Sequence, residues 1–216
     1  MEKTHIIFDL DGTLIDSKNE IISTYNKVFK EIKPPSEIDF NAVDFGGNIQ
    51  TILKYIYKED SLIVEARKLF IKLYDASNFE DTSLYPNIYE LLNYFYNSNY
   101  ILHIATNKRL APTINILKIK NLVPFFTSIY AHDMLLDKIL TKDEMVSEIC
   151  RINKIDFGYM VGDTSTDILA GFNSNLITIA ASYGYEKMEV LQKSNANFYI
   201  DNTLEFKNII KHKEND

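Results

Sequence analysis

An α/β fold carrying a helical insertion is what the 216-residue sequence predicts, on three observations. An apolar run, Ile6-Ile7-Phe8, sits near the start as a short buried strand would. From about residue 17 to residue 80 the apolar residues recur only at helical spacing. From Tyr85-Pro86 onward, helical and strand-like segments alternate, the pattern of a parallel sheet joined by crossover helices. The expectation is an α/β core of residues 1–16 and 82–216, a parallel sheet with helices on both faces, and a small all-helical domain of residues 17–81 inserted after the first strand. With 46% hydrophobic residues, the chain can bury one full core and still spare roughly 60 to 70 residues for a second module.

Ser17 can cap a helix in which Ile21, Ile22, Tyr25, Val28, Phe29 and Ile32 share a face, until Pro34-Pro35 stops it. Gly46-Gly47 marks the next break. Two amphipathic segments follow, one through Ile49, Ile52, Leu53 and Ile56, the other through Leu62, Ala66, Leu69, Phe70 and Leu73. In the second part, a helix over Ile88 to Tyr96 feeds a strand over Tyr100 to Ala105. A helix near Pro112 to Lys118 leads to a strand over Ser128 to Ala131, and a helix over Lys142 to Asn153 precedes a strand over Gly158 to Val161. Short strands at Leu176 to Ala180 and Phe198 to Ile200 complete a Rossmann-like set. His103, inside an apolar strand, reads as a core histidine satisfied by hydrogen bonds, and His5, His132 and His212 lack metal-like spacing. The insertion is rooted beside Asp9, where it is placed to cover the sheet's edge as a lid, with hinges near Asp16-Ser17 and Asp81-Thr82. A rigid helical layer is the alternative.

The formal net charge of -7 argues against nucleic acid or an anionic membrane as the main partner, because both reward clustered Lys and Arg. No uninterrupted apolar run reaches membrane-spanning length. The single Cys150 cannot form an intramolecular disulfide and fits a reduced compartment. With no signal-peptide pattern at the start, a cytoplasmic protein is expected. An anionic small substrate would need local positive charge, from a metal or a placed lysine. Oligomeric state is left open.

Chemistry-bearing residues gather where predicted strands end, the edge at which open α/β sheets bind ligands. Asp9-Leu10-Asp11-Gly12-Thr13 follows the first strand. Alternation along a strand would aim Asp9 and Asp11 the same way, and Gly12 lets the backbone turn where a Cβ would obstruct it. Two carboxylates this close repel each other, so they imply a bound cation, a shared proton, or both. Thr106-Asn107 follows the strand ending at Ala105; Asp163 follows Tyr159 to Gly162, with Asp167 four residues on; Lys142 opens the intervening helix. Singly, each has a bland explanation: a surface turn, a helix N-cap at Asp163, a first-turn charge at Asp167, a solvated lysine. Four polar clusters at one edge are hard to explain by packing.

Phosphoryl transfer accounts for the set. Asp9 would attack phosphorus and form an aspartyl phosphate. Asp11, its proton affinity raised by the Asp9 charge, would protonate the departing alkoxide and then draw a proton from the hydrolytic water. A hard cation, Mg²⁺, would be held by carboxylate oxygens of Asp9 and Asp163 and the carbonyl of Asp11. Thr106 would donate to phosphoryl oxygens, Asn107 would position the substrate, and Lys142 would neutralise charge on nucleophile and phosphate. Asp167 could orient Lys142 or a metal-bound water.

Asp9-Leu10-Asp11-Gly12-Thr13-Leu14, Ala105-Thr106-Asn107-Lys108, a downstream lysine, and Val161-Gly162-Asp163-Thr164-Ser165-Thr166-Asp167 resemble, in that order, the four motifs of the haloacid dehalogenase superfamily. Within it the chain resembles the phosphoglycolate phosphatase group, with a helical cap between the first two motifs and glycine and aromatic residues like Gly184-Tyr185 near the end. The resemblance spans essentially the whole chain and implies a Mg²⁺-dependent phosphatase of a small phosphorylated metabolite. The third motif often reads Lys-Pro in this family, where the chain offers Lys138-Ile139 or Lys142-Asp143. Thr141-Lys142-Asp143-Glu144 matches a Thr-Lys-x-Glu version, with Lys138 as second choice. Asp11 favours phosphate ester hydrolysis, since dehalogenases of the superfamily usually lack an acid there and phosphonatases usually have Ala. Thr13, where sugar phosphate mutases usually have Val, leans the same way. Gly46 and Gly47 lie near the position of a substrate loop in the family's caps. Phosphoglycolate, a nucleoside monophosphate, a sugar phosphate and pyrophosphate all remain as substrates. A sugar phosphate mutase and a catalytically silent binding protein are the alternative readings.

Overall fold

The computed structural model describes residues 3–43 and 45–213. The chain divides into two compact units, one of Met1–Asp16 and Leu84–Asp216, the other of Ser17–Ser83.

In the first unit, β1 (Thr4–Phe8) and the two-residue β2 (Ile15–Asp16) precede the insertion. The helices of the insertion are α1 (Lys18–Glu31), α2 (Ile49–Ile56) and α3 (Asp60–Asp75). After β3 (Ser83–Leu84) come α4 (Ile88–Asn97), β4 (Tyr100–Thr106), α5 (Leu110–Ile119) and β5 (Phe126–Ala131). The chain continues through α6 (Lys142–Asn153), β6 (Gly158–Gly162), α7 (Ser165–Asn173) and β7 (Ile177–Ala181). A short α8 (Met188–Leu191), β8 (Phe198–Ile200) and α9 (Thr203–Lys213) complete it.

Six strands form one sheet in the order β5-β4-β1-β6-β7-β8, every neighbouring pair parallel. Parallel strands bury both faces, which is why β6 is apolar or glycine throughout and wholly buried. Successive residues of β1 serve opposite faces. Ile7 packs with Met145, Val146 and Ile149 of α6 and Ala170 of α7. Phe8 meets Phe206 of α9 with ring centroids 5.5 Å apart, and Phe206 meets Phe95 of α4 at 5.2 Å. The helices on both faces therefore hold β1 at the centre of the sheet.

That strand order places the site. From β1 the chain moves to β4 on one side, and from β6 it moves to β7 on the other. Connections that part in this way open a crevice at the carboxyl ends of the two strands. Asp9 follows β1 directly, and Asp163 follows β6 directly.

The helical unit has its own core. Tyr25 of α1 stacks near Phe70 of α3, ring centroids 4.5 Å apart, and Ile52, Leu53 and Ile56 of α2 are buried. Helical spacing over residues 17 to 80 predicts more helix than forms. Among the described residues between α1 and α2, the chain is irregular apart from one 3-10 turn at Phe40–Ala42. Pro34-Pro35 excludes helix there, and the Tyr57 hydroxyl instead donates to the Ile32 carbonyl at 2.6 Å, fixing the end of α1. Ser17 stands at the N-cap of α1 without a side-chain capping bond. Glu20, buried on α1, accepts from the Asp81 N–H at 3.0 Å and from the Ser77 hydroxyl, tying down the segment after α3. Among the described residues no helix is long and apolar enough to cross a membrane.

Candidate active site

The Asp9 N–H still bonds the Val161 carbonyl at 2.8 Å, so the ladder to β6 fixes the backbone there after β1 has ended. The turn beyond closes on the Leu10 carbonyl, which accepts from Leu14 and Ile15 at 2.9 and 3.0 Å. Gly12 adopts φ +84°, and a Cβ on it would stand 2.1 Å from Asp163 Oδ2. Both the conformation and the close approach demand glycine.

Lys142 comes from the first turn of α6, which Thr141 and Glu144 fix in a capping box. A lysine gains nothing from the dipole at that end of a helix. What holds it is chemistry on its ammonium. Nζ donates to Asp9 Oδ1 at 2.6 Å and to the Ala105 carbonyl at 2.7 Å, and pairs with Asp167 Oδ1 at 2.8 Å. Two hydrogen bonds and one close ion pair thus surround the ammonium. Burial by itself lowers a lysine's proton affinity, but the Asp167 and Asp9 carboxylates outweigh it and hold Lys142 above the ordinary lysine value. Lys138 is exposed and pairs with Glu144. Of the two candidate lysines, then, Lys142 is the one the structure brings to Asp9.

Thr164, not Asp163, is the N-cap of α7, in a capping box with Asp167. Asp167 Oδ2 accepts from the Thr164 N–H at 3.0 Å and its hydroxyl at 2.7 Å, while Oδ1 holds Lys142. The same carboxylate is a first-turn charge and an orienter of Lys142. Asp163 is left for other work. Fully buried, it accepts from the Thr13 hydroxyl at 3.1 Å and the Tyr185 N–H at 2.7 Å, both neutral donors.

Asp9, Asp163 and Asp167 offer carboxylate oxygens within 4.8 Å of one another. Burial pushes the Asp9 carboxyl up to about 7; Lys142 pulls against it, and Asp167 and Asp11 add to it. Burial, then the Asp9 and Asp167 charges, raise Asp163 well above the usual carboxylate range. Three buried carboxylates thus converge where one ammonium contacts only two of them, Asp9 and Asp167. With Asp167 committed on both oxygens, Asp9 and Asp163 are the pair whose repulsion is least compensated, and no described group hydrogen-bonds Asp9 Oδ2. An all-oxygen set of this kind fits a hard divalent cation.

Asp11 departs from the simple expectation of two carboxylates side by side. Its Oδ1 pairs with Lys108 Nζ at 2.7 Å, so each aspartate of the turn has its own ammonium, and the Asp11 carboxylate is outside the converging group. Thr106 is buried at the end of β4, its hydroxyl accepting from the Lys108 N–H at 3.1 Å, and Asn107 is half-buried beside it. Gly46 and Gly47 belong to the helical unit, in the turn before α2.

Sequence reasoning gave Lys108, the Thr13 hydroxyl and Tyr185 no part in this geometry. A readable signal existed only for Thr164, since Thr-x-x-Asp is a capping pattern. The pairing of residue 108 with residue 11 has no local signature, because the sheet alone brings them together.

A family model described as haloacid dehalogenase-like hydrolase matches residues 6–181. A phosphoglycolate phosphatase of Psychrobacter arcticus is 30% identical over 210 residues, covering 90% of each chain. Pyrophosphatase PpaX of Listeria welshimeri is 26% identical over 215 residues, covering 98% of each. The solved structure of a haloacid dehalogenase-like family hydrolase from Streptococcus pneumoniae has a TM-score of 0.86 at 24% identity, over 96% of this chain and 98% of that one, a likeness of fold.

Proposed function

The chain belongs to the haloacid dehalogenase-like hydrolase family, and from that membership we propose that it is a Mg²⁺-dependent phosphatase of a small phosphorylated metabolite, acting through an aspartyl phosphate on Asp9. The observation that carries this reading is the buried Asp9 carboxylate, held through one oxygen by Lys142 at 2.6 Å beside a second buried carboxylate, Asp163. Such an arrangement is costly to bury unless the charge is used.

Asp9 is the nucleophile. Its free oxygen forms the bond to phosphorus as the ester P–O bond breaks, and Asp11, which pairs with Lys108 in this structure and has to take up a proton before this step, gives that proton to the departing alkoxide. In the second half, Asp11 takes a proton from water as that water displaces Asp9 and inorganic phosphate forms. Lys142 keeps the nucleophile aimed, while Thr106 and Asn107 hold phosphoryl oxygens and substrate. Asp167 orients Lys142. Mg²⁺, held by the Asp9 and Asp163 carboxylates and the Asp11 carbonyl, would supply the positive charge that lets both carboxylates ionise together and that offsets charge on the phosphoryl group.

Substrate choice is assigned to the helical unit, including the turn at Gly46-Gly47. Phosphoglycolate is the first substrate to try, given the Psychrobacter relative. Pyrophosphate is the second reading, favoured by the PpaX relative that matches nearly end to end. The single Cys150 and the net charge of -7 suit work in the cytoplasm on a small molecule, without nucleic acid or membrane.

Phosphate release from an aryl phosphate, with and without Mg²⁺, tests the reading, followed by phosphoglycolate and pyrophosphate. Wild-type turnover should require Mg²⁺, and Asp9→Asn should bring it to background. Equal release by wild type and Asp9→Asn overturns it.

A further inference from the structure

The loop after β7, residues 182–186, touches the site at several points and has no assigned task. Its Tyr185 N–H donates to Asp163 Oδ2 at 2.7 Å. A Cβ on Gly184 would lie 2.1 Å from the Asp163 Cβ, so the loop backbone presses directly on that side chain. Both tyrosines then reach across to the β1 turn. The Tyr183 hydroxyl donates to the Thr13 carbonyl at 3.0 Å, and the Tyr185 hydroxyl donates to Asp16 Oδ1 at 3.2 Å. The Thr13 hydroxyl completes the ring by donating to Asp163 Oδ1 at 3.1 Å.

Asp163 is therefore gripped on one oxygen by the β7 loop and on the other by the β1 turn, and the two grips are laced together by two phenols. The loop's own footing is firm. Ser182 N–H donates to the Ile200 carbonyl of β8 at 2.9 Å, and Glu186 accepts from the Ser165 N–H at 2.7 Å at the start of α7. Tyr85 packs its ring on Tyr183 with centroids 4.8 Å apart.

We infer that this loop is a clamp that sets the aim of the Asp163 carboxylate relative to the Asp9 turn, with Tyr183 and Tyr185 as positioning residues. The inference rests on the reading of Asp163 as a Mg²⁺ ligand. The Tyr183 phenol acts through the Thr13 backbone and the Tyr185 phenol through Asp16. Mg²⁺ demands near-ideal octahedral geometry with short oxygen distances. A carboxylate free to drift a few tenths of an ångström binds it less well, even where the fold is intact.

Calorimetric titration with MgCl₂ alone, on the full chain without substrate, tests this. Wild type, Tyr183→Phe, Tyr185→Phe, the double variant and Asp163→Asn are compared. Losing one hydrogen bond of the clamp should weaken Mg²⁺ binding about fivefold, and losing both more than tenfold. KM at saturating Mg²⁺ should stay within about twofold of wild type, because a clamp acting on Asp163 affects the metal rather than substrate binding. Asp163→Asn should abolish the binding heat. Wild-type Mg²⁺ affinity in both single variants and the double, with Asp163→Asn silent, overturns the clamp and leaves the site reading standing. Undiminished Mg²⁺ binding by Asp163→Asn overturns both.

Discussion

Replacing Lys142 with methionine removes the ammonium while keeping most of the side chain's bulk. In the folded protein that group meets oxygens of Asp9, Ala105 and Asp167 at 2.6, 2.7 and 2.8 Å, with 4% of its side chain exposed. Breaking a buried ion pair costs about 3–5 kcal/mol when the surviving partner stays charged. Here the survivors have an alternative. Burial already raises Asp9 from 3.8 to about 7, and loss of the cation raises it further. A carboxyl raised in this way binds its proton more tightly folded than unfolded. Its contribution to stability is complete below the unfolded value near 3.8 and is lost as pH rises through the folded value. The variant should therefore lose most of that 3–5 kcal/mol at pH 8 and clearly less at pH 5, where a proton replaces the ammonium. Urea unfolding at pH 5, 6, 7 and 8, in chelator, measures both proteins on the same scale. A penalty that is equal at pH 5 and pH 8 would refute the electrostatic account of the cluster. Turnover of the same variant should fall ~10²- to 10³-fold with Mg²⁺ present, the usual consequence of removing one well-aimed charge.

Asp11→Asn should cut turnover by ~10²-fold or more, as loss of an acid/base group does, while leaving Asp9 able to react. Acid-quenched protein incubated with labelled substrate should then carry phosphate on Asp9; full turnover would contradict the assignment. His103 is fully buried between His5 Nδ1 at 2.9 Å and the Ser128 hydroxyl at 2.7 Å. Burial, then His5, lowers it from 6.5 to about 3, so its contribution is whole above pH 6.5 and is lost as pH falls. That loss approaches ~1.4 kcal/mol per pH unit. His103→Gln should flatten urea stability between pH 6 and pH 4, and an unchanged acid slope would sink the idea.

Most of the sheet could be read in advance because parallel strands are buried on both faces and announce themselves as short apolar runs. Tyr100–Thr106 and Gly158–Gly162 differ by one residue from the predicted strands. The α6 helix begins at Lys142 because Thr141 and Glu144 form a local capping box. The breaks at Pro34-Pro35 and Gly46-Gly47 were legible as well, and only the stretch between them holds less helix than its spacing suggested. The α9 helix carried a start signal that went unread, Asn202 with Glu205 three residues on, whereas Phe206 becomes a core residue only because Phe8 and Phe95 are there to receive it. The same holds for the site. Aspartates after strands can be recognised from sequence, but their partners cannot. Lys108 and Asp11 are 97 residues apart, and Tyr185 and Asp163 are joined through a backbone amide that any residue could supply.

Those partners are what turn four identical side chains into four different groups. Asp167 spends one oxygen on a helix terminus and the other on Lys142. Asp9 has one oxygen on that same lysine, which fixes the direction of its carboxylate. Asp11 faces a separate ammonium, on Lys108. Asp163 alone is held only by neutral donors, a hydroxyl and an amide, which orient a carboxylate without cancelling its charge. A group held that way keeps its full attraction for a cation, whereas a lysine in the same place would compete with one. The division of labour among these aspartates follows from which donor each one meets, and that in turn follows from the strand order that sets β1 beside β6.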